Sequence, residues 1–169
     1  MNTQKKSKVI ISVGLPFSGK STYATELIKN DSSYVEINRD NIRKKLFHVS
    51  GWSDYEITTE RENQVTTEQF NEIRQAIDSG KNIIITNTNL RMKYVRRFVS
   101  LFEHYNCDIK IVLFSVSLIE IIRRNFESSY HNTEKDIVDS FNHYNWLKDK
   151  MLRNTHHMLK KLLINFLVK

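Results

Sequence analysis

Val9-Ile10-Ile11-Ser12-Val13-Gly14-Leu15-Pro16-Phe17-Ser18-Gly19-Lys20-Ser21-Thr22 decides the fold of this chain. The first five residues form an apolar run with the length and β-branched character of a buried strand. The next nine match the spacing G-x-x-x-x-G-K-[ST], a loop that wraps phosphates between a strand and a helix. The sequence has only four glycines and one proline, and Gly14, Gly19 and Pro16 all fall in this stretch. A loop around phosphates must turn successive backbone N–H groups inward, and glycine permits both the φ values and the close approach. A helix starting near Gly19 adds its positive N-terminal end, Lys20 a charge for the outer phosphates, and Ser21 a hydroxyl for Mg²⁺. An ordinary strand–turn–helix corner is the plain alternative. Strand, loop and helix context agree, however, so a bound nucleoside triphosphate is expected on Gly14, Ser18, Gly19, Lys20, Ser21 and Thr22, with Ser21 the metal ligand.

At 169 residues, 40% hydrophobic and 27% charged, the composition is that of one soluble globular domain rather than a disordered or membrane protein. The lone Cys107 has no internal partner, which points to a reducing, cytoplasmic location. Lys5, Lys6 and Lys8 precede a strand rather than the apolar core of a signal peptide. The run from Leu162 to Val168 is too short to span a bilayer and is expected to be a terminal helix packed on the core. The net charge of +7 and a pI near 9.5 suit polyanionic partners, nucleic acid and nucleoside triphosphates alike.

Beyond the loop the pattern alternates between the two periods. Lys20 to about Lys29 reads as a helix, Tyr34 to Ile37 as a short strand, and Arg39 to about Phe47 as a helix. A polar loop with Gly51 and Trp52 leads to a long helix over Thr58–Ser79, which Gly80 stops. Asn82 to Thr86 is the third strand, 91–105 a helix, Ile109 to Phe114 the fourth strand, and helices follow to the end. No fifth strand is expected. Strands separated by helices imply right-handed crossovers, hence an α/β domain of three layers with a short, about four-stranded parallel sheet. Ligands in such sheets lie beyond the carboxyl ends of the strands. Gly14, the segment Asn38-Arg39-Asp40, the segment Asn87-Thr88-Asn89 and the helix after Phe114 should therefore border one cleft.

Asp40 and Arg43 lie three apart on the helix that opens at Asn38, so they share a face. A carboxylate there can take the proton of an attacking hydroxyl, a role worth roughly 10²–10⁴ in rate. An arginine one turn on can grip a phosphate bidentately. Helix capping accounts for the same residues: Asn38 is a good N-cap and Asp40 a favourable first-turn acid.

The phosphate-binding loop, the string Ile37-Asn38-Arg39-Asp40 with Arg43, and Thr86-Asn87-Thr88-Asn89-Leu90 together resemble the kinase domain of phage-type polynucleotide 5′-hydroxyl kinases. The resemblance runs from about Val9 to about Tyr144 and implies a single P-loop kinase domain over 1–169. By that resemblance Lys20 and Ser21 hold the β- and γ-phosphates and Mg²⁺, Asp40 is the general base for a 5′-hydroxyl, and Arg43 binds the neighbouring acceptor phosphate. It also implies a basic lid at about 121–135, with Arg123 and Arg124 on the ATP phosphates and Arg124 catalytic, followed by helices at about 134–169. Two departures stand out. Asn87 replaces the aspartate of the family pattern, and no arginine stands near Ser128, where the family has a second lid arginine. Transition-state charge would then rest on Lys20, Mg²⁺ and Arg124 or Arg123. The activity implied is ATP-dependent phosphorylation of the 5′-OH ends of RNA or DNA, in end healing or repair. Rival readings are a small-molecule P-loop kinase for a nucleoside, sugar or antibiotic, and a catalytically weak NTP- or nucleic-acid-binding module.

Arg91-Met92-Lys93-Tyr94-Val95-Arg96-Arg97 opens a helix beside the expected cleft and either binds a single strand or is an ordinary solvated face. His48, His104, His131, His143, His156 and His157 show no metal-ligand spacing, and Trp52 and Trp146 read as packing residues.

Overall fold

The computed structural model describes residues 6–51, 54–128 and 132–153, and the backbone of 163–168. Trp52, His131, His156 and His157 lie outside the described residues. Five strands form one sheet: β1 (Lys8–Val13), β2 (Tyr34–Ile37), β3 (Asn82–Ile85), β4 (Asp108–Ser115) and β5 (Leu163–Val168). Between them run α1 (Lys20–Asn30), α2 (Arg39–Phe47), α3 (Thr59–Asp78), α4 (Met92–His104), α5 (Leu118–Glu127) and α6 (Glu134–Arg153). The strand order is β2-β3-β1-β4-β5, and every pairing is parallel.

β1 is central, with Ile11 opposite Ile85 on one side and Ile111 on the other. It is buried on both faces, as its uninterrupted apolar sequence requires. Val9, Ile11 and Val13 point into the larger core with Val65, Ile73, Val95, Phe98 and Phe102 from α3 and α4. Ile10 points the other way, to Ala24 and the partly buried Leu27 and Ile28 of α1. Each fully buried aliphatic side chain contributes roughly 1.5–3 kcal/mol, so a register slip of one residue, which exchanges the two faces, is strongly disfavoured.

The α/β fold class stands, and one element departs from expectation. The run ending at Val168 is not a terminal helix: Leu163–Val168 pairs parallel with β4, from Lys110 opposite Leu163 to Ser115 opposite Val168. A short apolar run fits a buried strand or a packed helix equally well by periodicity. The outer edge of β4 decides it, because its backbone groups need partners that a helix cannot supply.

Two local features placed in advance are present. Asn38 caps α2, its side-chain oxygen accepting from the N–H groups of Asp40 (2.7 Å) and Asn41 (3.3 Å). At the end of α3, Gly80 takes φ 66°, and the N–H groups of Gly80 and Lys81 reach back to Ile77 and Ala76, the double bond of a Schellman stop.

The chain crosses to β2 and β3 on one side of β1 and to β4 and β5 on the other. The loop leaving β1 thus sits at the reversal of strand order, where open parallel sheets form their ligand crevice.

Candidate active site

The loop from Gly14 to Thr22 leaves β1 and enters α1 around a cleft of about 470 Å³. Ser18, Gly19, Lys20, Ser21, Thr22, Phe17 and Tyr23 line it from the loop side, Phe114 and Arg124 from the other. Gly14 has no room for a side chain: a Cβ there would stand 2.8 Å from both the Phe114 Cβ and the Ser18 Oγ. Gly19 takes φ 91° immediately before α1, and Phe17 takes φ 62°, so the backbone coils in the manner that turns N–H groups inward.

Lys20 is buried, and its ammonium folds back onto the loop, donating to the carbonyls of Gly14 (3.1 Å) and Leu15 and to Ser18 Oγ (3.3 Å). Burial pushes it down to about 7, against the opposing pull of the Asp40 carboxylate. A phosphate group in the cleft would supply the negative partner that Lys20 lacks and restore its charge.

Asp40 itself is exposed, and its Oδ1 accepts from Arg43 at 2.6 Å. Arg43 is nearly buried and donates a second fork to Glu62, from Nε at 2.9 Å and Nη2 at 2.8 Å. Glu62, near the start of α3, also accepts from Arg39 (2.7 Å) and from the Tyr55 hydroxyl (2.9 Å). The bonds from Arg43 above all, with those from Arg39 and Tyr55, overcome partial burial and hold its carboxyl at about 2. Arg39 is further fixed by Thr66 at 3.0 Å. A single carboxylate thus locks both α2 arginines and aims the Arg43 guanidinium at Asp40.

The turn after β3 braces the two halves. The Thr88 carbonyl accepts the Gly14 N–H at 3.0 Å, and Asn89, in left-handed backbone, donates to the Ser12 carbonyl at 2.8 Å. Asn87 accepts the backbone N–H of Arg39 at 3.0 Å, holding the start of α2. Thr86 Oγ1 accepts from Asn38 at 2.7 Å.

The two arginines of α5 diverge. Arg124 lines the cleft, donating to the Phe17 carbonyl at 3.0 Å and to Glu120 at 2.7 Å. Arg123 is clamped on the outer surface between Glu120 and Glu127, at 2.6–2.8 Å. Of the residues singled out in the sequence, the structure places Gly14, Ser18, Gly19, Lys20, Ser21 and Thr22 on the loop with Arg124 across the cleft, pairs Asp40 with Arg43 on α2, and sets Arg123 apart. Glu62, Tyr55 and the side chain of Arg39 were not anticipated. Glu62 reads locally as one more first-turn acid behind the Thr58 cap, and no spacing rule links it to residues of α2.

Among the described residues no group of three or more His, Cys, Asp or Glu could hold a metal ion by itself. This donor set suits Mg²⁺, which keeps several waters and binds through one or two protein oxygens plus substrate phosphates. Ser21, exposed at the cleft, is such an oxygen. Burial pushes the Cys107 thiol up, away from reactivity. No described helix is long and apolar enough to cross a membrane.

The comparisons agree with this geometry. A protein of Autographa californica nuclear polyhedrosis virus, described as a bifunctional polynucleotide kinase/RNA ligase, is 28% identical over 130 residues, 72% of this chain and 18% of the viral protein. A chain in the structure of the Pnkp1/Rnl/Hen1 RNA repair complex superposes with a TM-score of 0.76 at 25% identity, over 88% of this chain and 47% of that one. The Mycobacterium tuberculosis APS kinase CysC with AMPPNP and APS shares the fold at 17% identity and a TM-score of 0.56, over 71% of this chain and 69% of that one. This chain therefore spans less than half the length of the viral protein and of the RNA-repair-complex chain. The AAA domain family matches residues 9–143, from β1 into α6. The chain belongs to that AAA domain family.

Proposed function

We propose that this domain is an ATP-dependent polynucleotide 5′-hydroxyl kinase, moving the γ-phosphate of ATP to the 5′-OH end of RNA or DNA during end healing. The observation that carries the reading is the phosphate-loop cleft walled by Lys20 and Arg124, with the α2 pair in which Arg43 stands 2.6 Å from Asp40 on the helix that follows β2. The 28% identity to the viral protein and the likeness to the RNA repair chain favour a polynucleotide acceptor over a small molecule.

In the reaction, Asp40 takes the proton of the 5′-hydroxyl as its oxygen bonds to the γ-phosphorus in line, and the bond to the β–γ bridging oxygen breaks to release ADP. Arg43 holds the neighbouring acceptor phosphate, which orients the hydroxyl. Lys20 and Arg124 stabilise the charge that develops on the transferring group and leaving oxygen. Ser21 would be the side chain that holds Mg²⁺ with the nucleotide, and the ion when bound would supply neutralisation of phosphate charge. Labelled γ-phosphate is expected to appear on 5′-OH oligonucleotides with Mg²⁺-ATP, and failure on both RNA and DNA would refute the assignment. Asp40→Ala should lower transfer roughly 10²–10⁴-fold while ATP binding persists. Full retention of activity would remove Asp40 as base.

A further inference from the structure

We propose that the exposed face of α4 binds the single-stranded body of the nucleic acid whose 5′ end lies in the cleft, a proposal that rests on the kinase reading above. From Ser79 to Phe102 the sequence contains no aspartate or glutamate, yet Lys81, Arg91, Lys93, Arg96 and Arg97 fall within it. These five charges compare with a net charge of +7 for the whole chain. Four of them cap or sit on α4, all exposed, with Tyr94 exposed between them.

Most cations on α2 and α5, Lys44 excepted, pair with acidic neighbours. Arg39 and Arg43 pair with Glu62, Lys45 with Glu68 and Glu72, and Arg123 and Arg124 with Glu120. Among the described residues none of Arg91, Lys93, Arg96 and Arg97 has an ion pair within 4.0 Å. Lys93 instead sits over the Tyr94 ring, and Arg97 covers Phe70 at 4.3 Å. Lys93 lies three and four residues before Arg96 and Arg97, spacings at which like charges destabilise a helix. The α4 face thus carries an unrelieved repulsion that folding does not require, because Val95, Phe98 and Phe102 already anchor the helix to the core.

Position supplies the direction. The Thr88 carbonyl, three residues before Arg91, is bonded to Gly14, and the Asn87 side chain is bonded to the start of α2. The turn that leads into α4 is thus bonded both to the phosphate loop and to the start of the helix that carries Asp40 and Arg43. The 13 residues of α4 extend for about 20 Å. A strand leaving the cleft along it meets cations about a turn apart and a ring on which a base can stack.

The test is fluorescence anisotropy of a 3′-labelled, 5′-OH single-stranded 15-mer with the whole chain, across a salt series, beside kinase assays on the 15-mer and on a 5′-OH dinucleotide. Lys93→Gln/Arg96→Gln/Arg97→Gln should weaken 15-mer binding on the order of a hundredfold at 0.1 M salt and flatten the log–log salt slope by about 2. Tyr94→Ala should weaken it about tenfold. The KM for the dinucleotide should stay within twofold of wild type in both, which also reports that the variants are folded. Lys135→Gln/Lys148→Gln/Lys150→Gln on α6 removes the same charge and should leave the slope unchanged. Unchanged 15-mer affinity and slope in the α4 variants overturns the proposal, as does an equal loss in the α6 variant. So does α4-dependent binding of phosphatidylserine vesicles with none of the oligonucleotide. If the wild type binds through α4 but transfers no phosphate, the kinase reading fails and the surface stands. If it transfers phosphate and the α4 variants bind normally, the surface alone fails.

Discussion

Glu62→Gln tests whether one carboxylate organises the acceptor side of the cleft. The substitution keeps the shape and an acceptor oxygen but removes the charge on which Arg39, Arg43 and Tyr55 converge. A fall in the Glu62 pKa from 4.5 to about 2 corresponds to roughly 3 kcal/mol if no solvent intervened. The side chain is 27% exposed, and screening reduces this to about 1–2 kcal/mol. Against that, Arg43 is only 11% exposed and would lose its two bonds to Glu62 while keeping that to Asp40, which adds to the penalty. A net loss of about 2 kcal/mol is expected at pH 7, or roughly 4–8 °C in Tm for a chain of this size.

The pH dependence follows from the direction of the shift. A carboxylate whose pKa is depressed by folding stabilises above its unfolded value, near 4.5, and loses that stabilisation as pH falls toward about 2. Urea denaturation of the wild type between pH 5 and 3 should show a declining component that Glu62→Gln lacks. The variant should also raise the KM for the oligonucleotide more than that for ATP, because Arg43 loses its bracing while the phosphate loop keeps its own. A variant within 0.5 kcal/mol of wild type at pH 7, or with the same acid slope, would refute the reasoning.

Two further outcomes follow from the loop and α5. Lys20, held at about 7 in the free protein, should be recharged by bound phosphates, so ATP binding at pH 8 should take up close to one proton, and fewer at pH 6.5. Calorimetry in buffers of different ionisation enthalpy measures this, and the same uptake in Lys20→Met would sink it. Arg124→Ala should lower kcat by about 10²–10³ with little change in stability, whereas Arg123→Ala should stay within about threefold of wild type, since Arg123 is engaged by Glu120 and Glu127 outside the cleft. Equal losses in the two variants would mean that α5 turns during the cycle and presents both.

What could be read in the sequence was written locally. The phosphate loop is nine consecutive residues, the α2 cap lies within four, and the apolar periods place helices and strands one at a time. The last strand was misread because its partner is β4, some fifty residues earlier, and an apolar run does not say whether it meets a sheet edge or a helix. The same limit separates Arg123 from Arg124. Both are basic and adjacent, and only the bond from Arg124 to the Phe17 carbonyl, 107 residues away, shows which one faces the cleft.

Asn87 carries this point furthest. As a departure from the family pattern it reads as the loss of a carboxylate near the metal region. In the fold its side-chain oxygen accepts the N–H of Arg39, 48 residues away, and so fixes the start of the helix that carries Asp40 and Arg43. An asparagine oxygen and an aspartate oxygen can both accept that bond, so the change removes negative charge and leaves the bracing in place. Asp40 and Arg43 are therefore held by contacts from Asn87 and Glu62, on separate elements, and neither can be recognised from its neighbours in sequence. The phosphate loop is local in sequence; the positioning of Asp40 and Arg43 is not, and substitutions at Glu62 or Asn87 should act on the acceptor while leaving nucleotide binding at the loop nearly intact.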